Sequence, residues 1–406
     1  MTSAQGPNLE SMSYGGLQLQ GMSPRNGPLG AKLGESTLLH AALGADVGYD
    51  SNVFYNSSPT SAPLMHVTPA VDLSNSERGG TMPEGVFYDL GASLTYREYL
   101  SGDETVRSQR AFSPAVAGLL EFSSNQTLSL EVSDNFARSV DSPYQANTSP
   151  ITHDYNVGSL QLKVAPGGGR LQLVLRYNNV LDLYETETYK PGNNMGNEGV
   201  LDLSWRWLPK TALFVQLAQG VVTYLESNSG RVASYPFKAM AGLRGLLTER
   251  LALNLGAGYT NGFYASGGSN PSGFGNITLV GEIIYNMSII SKAGLGYRHD
   301  FQNSPFVGNF YNVDAVYGAL QEFVAGRIAL TANARFENRA YQGAQVAAQG
   351  GRTDRVVMAG LTADYAIRRM FYLGVGYGLY LTRTTDTQTG INFTKHVIVG
   401  RVGVVY

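Results

Sequence analysis

The sequence contains no cysteine and few charges, which make up 15% of its 406 residues. The lack of cysteine excludes disulfide bonds, thiolate catalysis and cysteine-based metal sites. The charged fraction is well below the roughly 25% of typical soluble proteins. No apolar run reaches the roughly 18 residues that indicate a membrane-spanning helix. With a net charge of −2 and no basic run, nothing in the sequence points to nucleic acid as a partner.

Glycine and tyrosine are abundant instead, at 49 and 25 residues, and apolar residues alternate with small or polar ones. In the C-terminal stretch, apolar side chains occupy every second position from Phe371 to Leu381 and from Ile398 to Tyr406. Period-two alternation over such lengths exceeds the about 5–6 residues of an ordinary strand. It matches transmembrane β-strands of about 9–11 residues. A last strand that ends on an aromatic residue resembles the assembly signal of bacterial outer-membrane barrels, so we expect the barrel-assembly machinery as a partner.

The same alternation recurs along the chain and predicts an all-β, antiparallel, up-and-down transmembrane barrel of about 18 strands, within a range of about 16–18. The predicted strands begin with 43–50, 65–73 and 88–97 and end with the hairpin 371–406; those between them are 111–123, 126–134, 151–164, 170–184, 198–208, 211–225, 233–246, 250–260, 274–287, 289–300, 308–320, 326–337 and 354–366. Connections alternate between short turns and long loops. Outer-membrane barrels show this asymmetry, with short turns in the periplasm and long loops outside the cell. The barrel is therefore predicted to span 38–406.

Aromatic residues on the apolar faces predict two membrane girdles, because amphipathic rings favour the headgroup level. One set is expected near the extracellular ends of the strands and the other near the periplasmic ends. The predicted girdle residues are Tyr49, Tyr96, Tyr177, Tyr259 and Tyr297, and then Trp205, Trp207, Tyr285, Tyr317, Phe371 and Tyr406. The outer-membrane lipids are accordingly expected partners.

The opposite faces of the strands are predicted to line the lumen. They carry both acids and bases, so no field of one sign is expected to select an ion. The predicted lumen residues are Asp46, Asp50, His66, Asp72, Asp89, Arg97, Glu131, Arg176, Asp202, Arg206, Lys238, Arg244, Glu282, Lys292, Arg298, Asp314, Arg327, Arg335, Asp364, Gly374, Gly376, Gly378 and Arg401. The inward glycines indicate either a wide path for a bulky solute or close packing against a plug. Loops 134–150, 185–197, 261–272 and 338–354 are the candidates for folding inward to form a constriction.

Two features fit the barrel less well. Pro69 falls in the middle of a predicted strand, and a closed barrel has no edge strand to accommodate a proline. Residues 1–37 lack lasting periodicity and are predicted to be a flexible periplasmic extension or a partial plug. The first residues also lack the apolar core of a signal peptide. We therefore expect the sequence to be the mature form with an added Met, in the bacterial outer membrane.

An enzyme is not expected. The best triad-like cluster is His299 and Asp300 with Ser304 nearby, but adjacent residues of a strand point to opposite faces. No Gly-x-Ser-x-Gly elbow and no His-Glu-x-x-His zinc motif occurs, so no catalytic residue, metal or cofactor is predicted.

The segment Gly48-Tyr49-Asp50-Ser51-Asn52-Val53-Phe54-Tyr55 resembles the Tyr-Asp-x-Asn-Val-Phe segment of a large family of bacterial outer-membrane β-barrel porins. Some members accompany exopolysaccharide biosynthesis, and barrels of this type are proposed as polysaccharide-export pores in myxobacteria. The resemblance implies a porin-like barrel and a periplasmic polysaccharide-export partner. Asp50 and Asn52 would hold the first outer loop, which is a structural role.

Together these features predict an outer-membrane channel for polar solutes, with saccharide or secreted polysaccharide as the preferred cargo. The alternatives are a general uptake porin and a plugged structural barrel that works with a periplasmic partner complex.

The predicted faces lead to an expectation for one pair of adjacent residues. Leu373→Arg is expected to impair assembly, because a charge at mid-depth on the lipid face costs roughly 2–4 kcal/mol. Gly374→Ser, on the opposite face, is expected to be mild. Folded yield of the two variants measures the difference, and equal effects would contradict the assignment of faces.

Overall fold

The alternating segments form the wall of one closed sheet in a computed structural model. The structure describes residues 30–33, 36–75, 85–124, 127–141, 151–226, 231–265, 275–288, 290–304, 310–342, 351–367, 370–385 and 392–406. Each long strand presents apolar side chains on one face and polar or small ones on the other, which is the pattern of a sheet with two different environments. No helix in these ranges is long and apolar enough to cross a membrane.

The strands run in chain order around the wall. A short strand β1 (Ala31–Leu33) precedes those of the barrel, which are 10 to 15 residues long. They are β2 (Thr37–Asp50), β3 (Ala62–Ser74), β4 (Gly85–Tyr99), β5 (Ala111–Ser124), β6 (Leu128–Asp141), β7 (Ile151–Val164), β8 (Leu171–Tyr184), β9 (Asn194–Leu208), β10 (Thr211–Tyr224), β11 (Phe237–Leu246), β12 (Leu251–Asn261), β13 (Gly275–Asn286), β14 (Lys292–Asn303), β15 (Phe310–Val324), β16 (Ile328–Gln342), β17 (Arg352–Ala366), β18 (Phe371–Thr384) and β19 (Phe393–Val405).

Each of β2 to β19 pairs antiparallel with its sequence neighbours, and β19 also pairs with β2. This closing ladder runs from Val397 opposite Asp50 to Val405 opposite Ala42. Beyond it, the N–H of Ala41 donates to Tyr406 O at 3.0 Å, and the N–H of Tyr406 donates to Ala41 O at 2.8 Å. The predicted antiparallel 18-strand barrel is confirmed.

The two ends of the barrel differ in their connections. At one end, here called the short-turn end, successive strands are joined by short segments such as 209–210 and 325–327. At the other, the long-loop end, the connections include 51–61, 100–110 and 225–236. A three-residue strand, β1, pairs with the beginning of β2 at the short-turn end, with Leu33 opposite Thr37. Residues 1–29, predicted to be a flexible extension or plug, lie outside the described residues.

The outer face of the wall is apolar and exposed. Leu295 is 61% exposed, Val375 60% and Ile277 59%. The predicted girdle residues lie on this face with one exception, and Tyr96 is half-buried there. Tyr177 lies in the middle of β8, whereas Tyr49 and Tyr259 lie near the long-loop ends of their strands. Whether these rings form girdles at a membrane surface stays a prediction.

Three predicted positions differ in the structure. Tyr317 is 1% exposed and points inward, because its register places the ring beside Arg335 of β16, which lies on the inner face. Asp314 lies on the outer face, where the imidazole Nδ1 of His299 and the hydroxyl of Tyr297 lie 2.7 and 2.8 Å from its Oδ1. Arg327 lies in the exposed turn between β15 and β16 and is not part of the wall.

Pro69 lies within β3, and the sheet accommodates it through a local gap. The β3–β4 ladder runs through Val67 opposite Tyr96 and resumes at Ala70 opposite Ser93. The gap follows from the proline nitrogen, which carries no hydrogen to donate. The hydroxyls of Thr68 and Thr95 hydrogen-bond across it at 3.0 Å. A side-chain bond thus stands where the backbone bonds are missing.

Inward glycines make room for side chains of the neighbouring strands. A Cβ at Gly296 would overlap the ring of Tyr317, and one at Gly403 would overlap the Tyr372 hydroxyl. Gly374 lies between Asp364 of β17 and Arg401 of β19, and its missing side chain lets these two reach each other across β18. These three glycines are therefore covered by side chains of the barrel wall itself. This arrangement differs from both predicted ones, a wide path for a solute and packing against a plug.

We accordingly revise the expectation for Gly374. Gly374→Ser places a Cβ onto Asp364 Oδ1 and 3.1 Å from Arg401 Nε, so it should separate the two charges. Arg401 is 2% exposed, and breaking a buried pair costs roughly 3–5 kcal/mol. Resistance of the folded barrel to heating, followed by gel mobility of unboiled protein, measures the loss.

Gly400→Ala is the matched control, because its nearest neighbour would be Val47 O at 3.9 Å, an ordinary contact. A Gly374→Ser protein as heat-resistant as the control would show that the ion pair tolerates separation.

Candidate functional site

The candidate site is the inner face of the barrel. Alternation and register place the predicted lumen residues there, apart from Asp314 and Arg327, and Arg206 lies at the short-turn end of β9. Arg206 donates to Gly169 O at 2.8 Å, in the turn that joins β7 and β8. Gly374, Gly376 and Gly378 all point inward, beside Arg401, Val399 and Val397. That these positions line a solute path stays a prediction.

One side of the inner face is densely packed. On β15 to β19 and β2, hereafter the packed arc, the charged side chains are almost fully buried. They are Asp46, Asp50, Arg335, Glu337, Arg339, Arg352, Asp354, Lys395 and Arg401. Burial of charge is costly unless each group is paired and hydrogen-bonded. The partners of these side chains therefore decide whether the arc is stable.

On β16, Arg335, Glu337 and Arg339 form a row at every second residue. Glu337 is 1% exposed and accepts from Arg335 Nε at 2.5 Å and from Arg339 Nε at 2.7 Å. The guanidinium of Arg335 lies 5.4 Å from the ring centroid of Tyr317, and that of Arg339 lies 5.4 Å from that of Tyr311. One carboxylate bridging two cations, each with an aromatic ring beside it, satisfies the row without solvent.

Buried polar contacts continue from this row onto the strands on either side. On β17, Arg352 Nη2 donates to Asp354 Oδ2 at 2.7 Å, and its guanidinium lies 4.7 Å from the ring centroid of Tyr341. On the other side, the hydroxyl of Tyr317 donates to Glu282 Oε1 at 2.9 Å. A connected polar network therefore crosses from β13 to β17.

Two further carboxylates hold bases near the β2–β19 closure. Arg401 Nε donates to Asp364 Oδ1 at 2.7 Å across β18, in the space left by Gly374. His66 Nδ1 lies 2.8 Å from Asp46 Oδ2 on the neighbouring strand. The predicted lumen residues Asp46, His66, Asp364 and Arg401 are thus members of wall-bound pairs.

Asp50 holds the beginning of the first long loop. Its Oδ2 lies 2.7 Å from Lys395 Nζ and accepts from the Tyr99 hydroxyl at 2.9 Å, while its Oδ1 accepts from the N–H of Asn52 at 2.9 Å. Asn52 is fully buried and donates from Nδ2 to Asn56 O at 2.8 Å. At 1% exposure Asp50 does not face an open lumen. The two residues have the loop-holding contacts expected of them.

Loops 51–61 and 100–110 pack on the inner face at the long-loop end. Val53 and Val106 are buried in one cluster with the inward Val397 and Val399. Val106 belongs to the short helix α1 (Glu104–Arg107), which Asp103 caps. Donation from the Thr105 hydroxyl and backbone N–H to the Asp103 carboxylate lowers the pKa of Asp103. Neither loop was a predicted constriction, and 142–150, 266–274 and 343–350, which cover much of the predicted candidates, lie outside the described residues.

The opposite side of the inner face, on β5 to β14, is hereafter the open arc. Its carboxylates Asp202, Glu282 and Asp300 are at most 8% exposed. Arg244 Nη1 donates to Asp202 Oδ2 at 2.9 Å, and Lys238 pairs with Asp300. Six half-exposed bases share this arc with a smaller number of half-exposed or exposed acids. The bases are Lys163, Arg176, Lys238, Arg244, Lys292 and Arg298, and the acids are Glu121, Glu131, Asp182 and Glu198.

This distribution follows from side-chain length. Short carboxylates stay at the wall, where they accept hydrogen bonds, whereas long Lys and Arg side chains carry their charges away from it. The accessible charge of the open arc is therefore more basic than the nearly balanced composition of the chain suggests.

An aromatic residue is also accessible on the open arc. Tyr155 of β7 is 40% exposed although its register, opposite Ala137 and Asp182, places it on the inner face. Its ring centroid lies 6.1 Å from that of His153, which pairs with Asp182 and stacks on Tyr184 at 4.6 Å. The ring offers an apolar face beside hydrogen-bonding groups.

Sequence reasoning missed most of the packed arc. Glu337, Arg339, Arg352, Asp354 and Lys395 lie near the long-loop ends of their strands, at or beyond the predicted strand limits. A signal was present, because Arg335, Glu337, Arg339 and Tyr341 continue the period-two pattern of β16 through an apparently polar loop. From the sequence alone, charged residues at a strand end are easily assigned to a loop. Their place in the strand becomes clear only when the paired residues of the neighbouring strands are known.

The triad-like cluster does not assemble. His299 bonds to Asp314 on the outer face, whereas Asp300 pairs with Lys238 on the inner one. Ser304 is fully buried. Within the described ranges, no three His, Asp or Glu side chains come close enough to hold a metal ion.

No family model and no curated protein matches the chain. Solved structures with a similar fold include the outer-membrane protein OpdK of Pseudomonas aeruginosa, at 11% identity and a TM-score of 0.46 over 91% of this chain and 99% of that one. OccAB4 of Acinetobacter baumannii has 13% identity and a TM-score of 0.44 over 91% and 97%. The siderophore receptor PirA of Pseudomonas aeruginosa has 10% identity and a TM-score of 0.42 over 91% of this chain and 80% of that one. Likenesses this remote carry no conclusion about cargo.

The Asp50–Lys395 pair should control the first loop. Asp50→Ala leaves the buried ammonium of Lys395 without its carboxylate, which costs roughly 3–5 kcal/mol for a buried pair. We expect faster proteolytic cleavage within 51–61 in the folded barrel. The double variant Asp50→Ala/Lys395→Met should recover much of the protection, because removing both charges leaves no buried ion.

Asp103→Ala serves as the control, since it changes an exposed carboxylate in the neighbouring loop and should leave cleavage within 51–61 unchanged. A double variant cleaved as fast as Asp50→Ala would contradict this role of the pair.

Proposed function

We propose that this chain is an outer-membrane channel for polar solutes. The observation that carries the proposal is the closed barrel with an apolar, exposed outer face and a charged inner face. Such a wall suits lipid outside and water inside. Barrels of about 16–18 strands are wide enough for an aqueous channel. The short-turn end would then lie in the periplasm and the long-loop end outside the cell.

The open arc supports a preference for anionic over cationic solutes. Its accessible charge comes mainly from Lys and Arg, because six half-exposed bases outnumber the four accessible acids, while Asp202, Glu282 and Asp300 are held at the wall. Charged side chains along a pore bias permeation toward ions of opposite sign. This proposal departs from the expectation that mixed charges would give no preference.

Saccharide or secreted polysaccharide remains the proposed cargo. The family resemblance of the segment at Tyr49–Tyr55 favours it, together with the accessible ring of Tyr155 beside the His153–Asp182 pair. A ring face packs against the C–H surface of a sugar, and the carboxylate accepts from its hydroxyls. Export of a polysaccharide would involve a periplasmic partner complex, and the C-terminal strand would be read by the barrel-assembly machinery.

A plugged structural barrel is the second candidate. The packed arc favours it, because side chains such as Arg335 and Asp354 are as buried as those of a protein core. Loops 51–61 and 100–110 cover part of the same face at the long-loop end. Conductance distinguishes the two functions, since a plugged barrel carries no steady current.

Planar-bilayer recordings of the purified protein test the channel. We expect a steady conductance. In a KCl gradient, the sign of the reversal potential should indicate that chloride permeates more readily than potassium. Lys292→Gln with Arg298→Gln should shift the selectivity toward potassium by up to about fivefold in permeability ratio for each charge removed, because one unit charge at close range in water contributes about 1 kcal/mol. Arg250→Gln, in an exposed turn at the short-turn end, is the control.

A barrel that stays closed, also after deletion of residues 1–29, would overturn the channel and favour the plugged function. A wild-type protein that conducts but is selective for potassium would agree with the proposed channel and contradict the proposed anion preference.

Blocking of the current by a charged oligosaccharide tests the cargo. Tyr155→Ala should weaken the block by about two- to tenfold, because aromatic contacts contribute about 0.5–1.5 kcal/mol beyond area burial. Tyr155→Phe should keep most of it, which separates the ring from the hydroxyl. Equal block by wild type and Tyr155→Ala would place the saccharide elsewhere or exclude it.

A further inference from the structure

The outer face carries two arginines side by side near the long-loop end. Arg355 of β17 and Arg383 of β18 are cross-strand partners, and both are exposed. Like charges directly opposite each other on a sheet repel. Within the part of the chain that the structure describes, no acid forms an ion pair with either guanidinium. The pair therefore places two positive charges on neighbouring strands of the outer face.

The position of Arg383 is fixed by the wall. Its Nη1 donates to Phe393 O at 2.9 Å and to Thr382 O at 3.0 Å, and its Nη2 donates to Thr394 Oγ1 at 3.1 Å. The backbone holds this guanidinium without neutralising it. Arg355 has Asn338 as its partner on the other side. An anion bound by both arginines would therefore meet a fixed guanidinium on the β19 side of β18 and the guanidinium of Arg355 on β17.

Apolar surface begins directly beside the arginines, toward the short-turn end. Val357 is the cross-strand partner of Leu381, and Ala359 that of Leu379, on the same outer face. Leu361 and Ile398 nearby are 52% and 56% exposed. Two cations at one end of an apolar strip match an amphiphile with an anionic headgroup and acyl chains, whereas a free anion or an acidic peptide would leave the strip unused.

Among the described residues, the nearest outward carboxylate is turned to other partners. Asp314 is separated from Arg355 by Asn338 of β16. Its Oδ1 is engaged by His299 and Tyr297 on the far side. It lowers the positive potential at the arginines but does not occupy the site between them.

We infer that Arg355 and Arg383 bind the phosphorylated headgroup of an outer-leaflet lipid whose acyl chains lie along the apolar strip. Guanidinium groups bind phosphate oxygens bidentately. The inference rests on the membrane placement of the proposed function but not on conduction. Such a lipid would be a fixed part of the wall surface at β17–β18.

Binding of bisphosphorylated lipid A to the purified barrel in neutral detergent, followed by native mass spectrometry, tests the site. Arg355→Gln/Arg383→Gln should weaken binding at least about tenfold, since each base near an anionic membrane surface contributes about 1 kcal/mol. Dephosphorylated lipid should bind the wild type as weakly as the intact lipid binds the double variant. Arg250→Gln, at the opposite end, is the matched control and should bind like the wild type.

Equal binding of lipid A by the double variant and the wild type would overturn the inference, as would equal binding of the dephosphorylated lipid. Inorganic phosphate that displaces the lipid at comparable concentration would show a free-anion site, which also contradicts it. Conductance recorded on the same preparations keeps the two proposals apart. The arginines lie outside the barrel, so a change in lipid binding with unchanged current concerns the lipid site alone.

Discussion

Closure of the sheet between β19 and β2 is the constraint on which the other features depend. A closed wall has no edge, so every strand finds both of its ladder partners. Because each residue then points either inward or outward, one period-two pattern assigns every side chain to one of two environments. The apolar outer face, the inner charges and the arginine pair on the outside all follow from that assignment.

The interior is stabilised by polar groups that are matched within strands and across them. Glu337 between two arginines and Asp50 between Lys395 and Tyr99 show how buried charge is tolerated. Glycine has a specific part in this, since Gly374 provides the space through which Arg401 reaches Asp364. The two arcs differ in burial as well. The packed arc behaves like a protein core, and the open arc keeps its bases accessible to water.

The sequence was sufficient to predict the barrel, because period two is imposed on every strand and does not depend on distant contacts. It was also sufficient to assign faces, as for Asp46 and Arg176. It failed where a pairing had to be known. Tyr317 looked like a girdle residue because its ring is apolar, yet only its neighbours Arg335 and Glu282 show that it points inward. Gly374 looked tolerant of serine because the sequence does not show that two charges meet over it. The predicted strands ended too early where charged residues continued the β-ladder.

The β2–β19 pairing also has a consequence for the order of events in folding. The first long strand and the last one hydrogen-bond to each other, so Ala41 acquires its partner only when Tyr406 is in place. Contacts between residues so distant in sequence make folding slow. Until the last strand arrives, both ends of the growing sheet expose unpaired backbone groups that invite aggregation. The chain is therefore open to self-association until its last strand has paired with its first long one.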